Sequence, residues 1–387
     1  MAADQIAFVL GLAIGGAILV GFGFVDLWLR TVHGNDFSGF WAGPRAFLDG
    51  VDPYDPGRFP DVVARYGTQD TEPVYGYPPW DLLVVLPFAA LPLEVASIAW
   101  LVIGLGLAVI GLGTLLAERA PGLPSVHFLV GLSLLASQPA LITFYSGQWG
   151  FLLTGTLALT VRWLGVGSSR RAGVAALAMV TKPQLFVFAA WALIRTALAR
   201  RQAAFIAVAA GGASALVAFS WLLFPGWLGA FLTHIAPMRT SYPPRSVTIA
   251  TPLGEMLGPT GLWLVLPIMA VVLVVALRFD AKSDASLAVW LVASVVLASY
   301  AWSYDHLVLL VPIVLAVGAL RFDRTRATVV GVLSCVALIV EALFLYQLSA
   351  ARGSQSLNAL VPLSVFAVVV GGLWPYRMAG RPETSTR

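Results

Sequence analysis

Apolar runs separated by short polar connections repeat along the whole chain. They cover 5–29, 79–93, 94–117, 126–145, 149–166, 171–182, 183–199, 203–224, 262–277, 285–302, 304–320, 326–346 and 358–376. Runs of roughly 20 apolar residues suit helices crossing a hydrocarbon core about 30 Å thick. The pattern predicts an all-α polytopic membrane protein with about 10–13 transmembrane or re-entrant helices. A β-barrel would show short alternating segments instead. No polar stretch exceeds about 50 residues, the low end for a soluble domain. Residues 1–387 therefore read as a single integral membrane domain.

Basic residues cluster at 119, 162–171, 195–201, 278–282, 321–326 and 377–381. Cytoplasmic loops collect Lys and Arg. Placing these clusters inside leaves 30–78, 146–148, 225–260, 303–306 and 347–357 outside, with 30–78 as a large first periplasmic loop. Residues 378–387 read as a flexible cytoplasmic tail. This arrangement lets 79–93 and 94–117 make only one crossing. The first holds Pro87 and Pro92 and is expected to be re-entrant or interfacial, buried in protein or lining a cavity. The alternative is two crossings with Arg119 outside. Segments 171–182 and 183–199 read as a helical hairpin with Thr181-Lys182-Pro183 at its apex. A lysine at that depth is costly unless it meets an anion or water.

Composition agrees: 59% of residues are hydrophobic and 11% charged, against roughly 25% charged in soluble domains. The net charge of +4 resides in short inter-helix loops, where orientation explains it, so no nucleic-acid partner is implied. The single Cys335 excludes an intrachain disulfide and a cysteine metal cluster. Residues 6–25 lack a preceding basic region and read as a first transmembrane helix rather than a cleaved leader.

The stretch from His33 to Trp80 is the longest polar, aromatic and proline-rich segment. Loops of that length usually carry function. Asp36 fits two roles there: cap of a helix starting near Phe37, or an acid–base carboxylate. Ser299–His306 gathers two Tyr, a Trp, an Asp and a His, with His306 able to accept a proton near neutral pH. Gln148 lies in a polar break that also reads as a tight turn. Glu341 is ionisable inside an apolar run, which makes it a functional candidate. His127 and His234 read as structural. On the expected topology Asp36, Tyr77, Gln148, Lys182, Arg245 and His306 converge on one side. A carboxylate can take a proton from an attacking hydroxyl, and cations can stabilise charge growing on a phosphate. Aromatic rings such as Trp41, Trp302 and Tyr304 offer apolar faces to sugars. No Gly-rich phosphate loop, catalytic Ser-His-Asp set, metal-binding His pair or Asp-x-Asp motif occurs. Asp36, Asp52 and Asp55 could gather a divalent ion, but Asp52-Pro53-Tyr54-Asp55 reads more simply as a turn.

The chain resembles glycosyltransferase family 87, the polyprenyl-phosphate-mannose-dependent mannosyltransferases of the glycosyltransferase C superfamily. The matching pieces are Asp36-Phe37-Ser38-Gly39-Phe40-Trp41, Gly50-Val51-Asp52-Pro53-Tyr54, Tyr77-Pro78-Pro79, Ser146-Gly147-Gln148, Thr181-Lys182-Pro183-Gln184 and Ser303-Tyr304-Asp305-His306. They follow the family's order over about residues 36–312. The resemblance implies inverting transfer on the extracytoplasmic side of a bacterial plasma membrane, and the carboxylate reading above predicts metal-independent activity. The donor would be a polyprenyl-phosphate sugar, mannose first, and the acceptor a glycolipid or glycan. Asp36 would be the base. Lys182, Arg245 and Tyr77 would meet the donor phosphate and lipid. Gln148, Tyr304, Asp305, Trp41 and Trp302 would meet acceptor or sugar. His306 would share the catalytic role, or serve as base while Asp36 orients the acceptor. Trp149 departs from the small or polar residue more familiar there. Other readings are an arabinose or glucose donor, a lipid-linked sugar transporter or flippase, and an inert assembly partner. Oligomeric state, monomer or homodimer, stays open.

Overall fold

The structure, a computed structural model, describes residues 2–68, 72–236, 246–351 and 353–376. Among these there are helices and turns but no strand. Seven helices are long and apolar enough to cross a membrane: Ala2–Gly21, Leu93–Arg119, Pro124–Ser146, Ala203–Leu223, Ala250–Leu277, Arg324–Ala350 and Ser356–Tyr376. Shorter apolar helices join them, Pro79–Ala89, Pro183–Ala199, Asp284–Val296 and Ser303–Ala319, with Gly150–Gly165 packed among them.

Burial sorts these elements. Residues 285–298 and 303–318 are buried without exception. A helix that is apolar all round belongs inside, and these two form the centre. Around them, glycines set the close approaches. A Cβ on Gly11 would lie 2.1 Å from the Phe128 carbonyl oxygen, and one on Gly155 2.4 Å from the Leu107 carbonyl carbon. Without a hydrophobic drive between helices in lipid, such small residues let backbones touch. At the periphery, Ala203–Leu223 has only 6% of its apolar stretch buried.

The two ends of the bundle differ in chemistry. At one end Asp284 pairs with both Arg119 and Arg200, and Arg162 meets Glu118 at 2.6 Å. These residues end the Leu93–Arg119, Gly150–Gly165 and Pro183–Ala199 helices and begin Asp284–Val296. The residues expected to carry chemistry start the opposite ends. Trp100, whose indole donates to the Gly147 carbonyl at 2.9 Å, stands 19 residues before Arg119, roughly 28 Å along a helix. Arg119 thus shares an end with Arg162 and Arg200, as the one-crossing arrangement requires.

Several expectations need correction. The run 5–29 breaks at Gly23, with φ 74°. Segment 30–78 is in part helical. It holds the Asp36–Leu48 and Phe59–Arg65 helices, tied by Arg45 and Asp49 to the Tyr66 hydroxyl at 2.9 and 2.8 Å. Segment 225–260 contributes Ala250–Leu257, which continues into the Ala250–Leu277 span. The limbs on either side of Lys182 do not form a closed hairpin. Ser169–Ala176 packs on Gly150–Gly165 and Ala203–Leu223, whereas Pro183–Ala199 packs on Asp284–Val296. Pro79–Ala89 has 11 residues, about 16 Å of helix, too short to cross the core. The 378–387 tail lies outside the described residues.

Candidate active site

Four chain breaks at one end of the bundle hold the polar groups: the start of Asp36–Leu48, the turn before Gly150–Gly165, the break at Lys182, and the first turn of Ser303–Leu309. Asp36 is the first residue of its helix, and Asn35 is the cap. The Asn35 side chain accepts from the Ser38 amide at 3.2 Å. Because Asn35 caps the helix, the Asp36 carboxylate is released for other partners. Its Oδ2 accepts from Gln148 Nε2 at 2.6 Å. The Asp36 side chain is exposed although protein surrounds it on most sides, as in an open recess. Desolvation there raises its carboxyl above the ordinary aspartate range. The Gln148 hydrogen bond and the nearby Lys182 charge pull the other way but do not prevail.

Gln148 is fixed by the turn that carries it. Gly147 ends the Gln138–Ser146 helix at φ 67°, a left-handed conformation that favours glycine. A Cβ on Gly147 would meet Phe37 Cβ at 2.6 Å. The turn is thus a seat for the first turn of the Asp36 helix.

Lys182 interrupts the chain because Pro183 starts the next helix and has no amide hydrogen to continue the previous one. Its Nζ meets Asp305 Oδ1 at 2.6 Å and lies 4.5 Å from the Tyr304 ring centroid. Asp305 Oδ2 accepts from the Trp302 amide at 2.9 Å. Tyr304 lies within electrostatic reach of Asp36 and Tyr77. Trp302 stacks on Tyr304 at 6.5 Å between centroids, and its indole donates to the Tyr300 hydroxyl at 2.6 Å. Tyr77, Tyr300 and Trp302 keep part of their surface accessible, and so form an aromatic rim.

Asp36, Gln148, Lys182, Tyr304, Asp305, Trp302 and Tyr77 therefore assemble as one cluster. Other expected residues fall elsewhere. Trp41 is 2% exposed, packs against Tyr66, and donates its indole hydrogen to the Leu91 carbonyl at 3.2 Å. It is a core residue and offers no face to a sugar. His306 is completely buried, and neither ring nitrogen has a hydrogen-bond partner among the described residues. It presents no surface to a substrate, whereas Asp36 is exposed. The amide hydrogen bond of Gln148 goes to Asp36 rather than outward to an acceptor. Arg245 lies outside the described residues. His127 bonds the Ala120 carbonyl at 3.1 Å, and Glu341 accepts from Ser364 at 2.7 Å. Asp52 and Asp55 accept from the Tyr54 and Gly57 amides as turn residues do. Among the described residues no group of three or more His, Cys, Asp or Glu is placed to hold a metal ion.

Sequence reasoning missed Asn35, although an Asn just before a helix is a legible cap signal. It also missed a buried amide–hydroxyl network behind the Asp305 turn. Ser303 Oγ accepts from Gln138 and donates to Gln355, both at 2.9 Å.

The bundle defines a multi-pass membrane protein with a polar cluster gathered at one end, where helices begin. Residues 75–299 match glycosyltransferase family 87. The match covers more than half of the chain, so the chain belongs to that family and is a glycosyltransferase. It includes Tyr77, Gln148 and Lys182, and leaves Asp36 before it and Tyr304 and Asp305 after it. No curated protein gave a significant match.

Proposed function

We propose that the protein transfers a mannosyl group, with inversion, from polyprenyl-phosphate-mannose to a hydroxyl of a glycolipid or glycan. The reaction takes place on the extracytoplasmic face of a bacterial plasma membrane. The acceptor oxygen attacks the anomeric carbon as its proton passes to Asp36. The carbon–oxygen bond to phosphate breaks, and polyprenyl phosphate leaves with the bonding pair. Inversion in one displacement needs a base and no enzyme nucleophile. Lys182 stabilises the negative charge that grows on the leaving phosphate. Tyr77, Trp302 and Tyr304 border the sugars, and Asp305 holds Lys182.

The observation that carries this reading is an accessible carboxylate within electrostatic range of a buried lysine, at one end of a membrane bundle. A second feature supports a lipid-linked donor. An apolar groove of about 360 Å³ reaches Pro183, the residue after Lys182, and is lined also by Met179, Phe186, Phe205, Ala209 and Ala213. The test is mannosyl transfer from a defined polyprenyl-phosphate-mannose, with wild type and Asp36→Asn compared against candidate lipid acceptors. Transfer by wild type and none by a folded Asp36→Asn is the expected result. Transfer that survives Asp36→Asn would remove Asp36 as base. Activity is expected to persist in excess chelator, and its loss would end the metal-independent reading. Arg119→Cys is expected to label only from the cytoplasmic side, and labelling from outside would reverse the orientation.

A further inference from the structure

We infer that Gln148 is a positioning residue for the base, fixing one oxygen of Asp36 so that the other meets the acceptor hydroxyl. This rests on the proposal that Asp36 is the base.

Three observations carry it. First, Gln148 is 4% exposed and its Nε2 lies 2.6 Å from Asp36 Oδ2. A short hydrogen bond from a buried donor to a carboxylate fixes direction as well as position. Second, Gln148 cannot drift. Its amide donates to the Thr143 carbonyl at 3.0 Å. Gly147, in the left-handed region, touches Phe37 and accepts from the Trp100 indole at 2.9 Å. The turn and the start of the Asp36 helix therefore move as one body. Third, Gln148 Oε1 is buried with no hydrogen-bond partner among the described residues. A purely structural glutamine would be expected to satisfy its carbonyl as well. Here the side chain keeps an unsatisfied oxygen while its amide reaches the carboxylate, as a group held for one contact would.

A carboxylate has two oxygens with several lone-pair directions and can turn about its last bond. Left unrestrained, it spends part of its time aimed away from the incoming hydroxyl. Proton transfer requires reach of about 2.6–3.2 Å in the right direction. Occupying Oδ2 removes that freedom and leaves Oδ1 for the acceptor. The bond also favours the ionised carboxylate, the form a base needs. Other groups facing Asp36 are Lys182, itself paired with Asp305, and the Tyr304 ring, with Tyr77 beside it. Three residues before Asp36 in the chain, His33 pairs with Glu94 at 2.9 Å.

The test is Gln148→Leu, which keeps a buried side chain of similar bulk, one atom shorter, and removes the donor. The expected result is a fall in kcat of roughly tenfold, with donor KM little changed. The acid limb of the pH–rate profile should move about one pH unit upward, the weight of one hydrogen bond to a charged group. Gln148→Glu serves if the leucine variant does not fold. It should act only where the new carboxyl stays protonated, so its rate should fall at higher pH where wild type is flat. Wild-type kcat in the leucine variant, or a Gln148→Glu rate that stays as flat at higher pH as wild type, would overturn the inference. So would a lower kcat with an unmoved acid limb, because a loosened turn predicts that. Asp36→Asn is measured alongside. If it stays active, the base assignment itself fails. If it is dead while Gln148→Leu matches wild type, only the role of Gln148 fails.

Discussion

Asp305→Ala isolates the energetic weight of the Lys182 pair. Lys182 is 9% exposed and Asp305 3%, with 2.6 Å between nitrogen and oxygen. Breaking a buried pair by removing one partner costs about 3–5 kcal/mol, because a charge is left without compensation. The Tyr304 ring 4.5 Å away contributes about 2 kcal/mol to a desolvated cation. It does so before and after the substitution, so it offsets little. Loss of the acceptor for the Trp302 amide adds about 1 kcal/mol. The carboxylate therefore dominates, and Asp305→Ala should lose at least 3 kcal/mol or so of unfolding free energy. Replacing both partners, Lys182→Met with Asp305→Leu, removes the stranded charge. It should return stability to within about 1 kcal/mol of wild type, since apolar replacements of buried pairs are often neutral. Activity should not return with it. Equilibrium unfolding in mixed micelles, run beside the transfer assay, reads both quantities. The reasoning fails if Asp305→Ala unfolds like wild type, or if the double variant is as unstable as the single one.

Other perturbations follow from the same geometry. Gly147→Ala forces a side chain into a left-handed conformation and against Phe37. It should cost about 1–3 kcal/mol and reduce transfer more than donor binding, checked by unfolding and by donor titration. Asn35→Ala removes the cap and should cost about 1 kcal/mol. It also tempts Asp36 into the capping role, so transfer should fall while Asn35→Asp stays near wild type. The raised Asp36 pKa sets the acid side of the pH profile. A base must be ionised, so kcat/KM should fall as pH drops through a value above the ordinary aspartate range of about 4. Lys182→Met should move that limb further up, because the lysine charge favours the carboxylate; a downward move would contradict the placement of Lys182.

The bundle was legible because lipid imposes length and apolarity on every span, and the runs at 94–117, 203–224 and 358–376 show both. Short helices were harder. Pro252 and Pro259 hid the helical stretch joining 250–264 to the following span. Gly39, Gly43 and Pro44 blurred the helical pattern of 36–48, a helix whose inward face buries Phe37, Phe40 and Ala46. At the site, residue type located Asp36 and Lys182 but could not say what each touches. The Lys182–Asp305 pair spans 123 residues, a separation over which no local pattern reports. Trp41 and Trp302 look alike in sequence. Only packing distinguishes a tryptophan locked into the core from one at an accessible rim.

The sparsely buried Ala203–Leu223 helix has a practical consequence. Most of its surface meets whatever solvates the protein, so its place is set by the surrounding medium as much as by the fold. Phe205 and Ser220 are its only fully enclosed side chains. A harsh detergent should loosen this helix before the glycine-locked pairs, and a change in acyl-chain length should tilt it. Because Phe205, Ala209 and Ala213 form one wall of the groove that reaches Pro183, the width of that groove becomes a property of the preparation. Two laboratories using different lipids could obtain different donor affinities from identical chains.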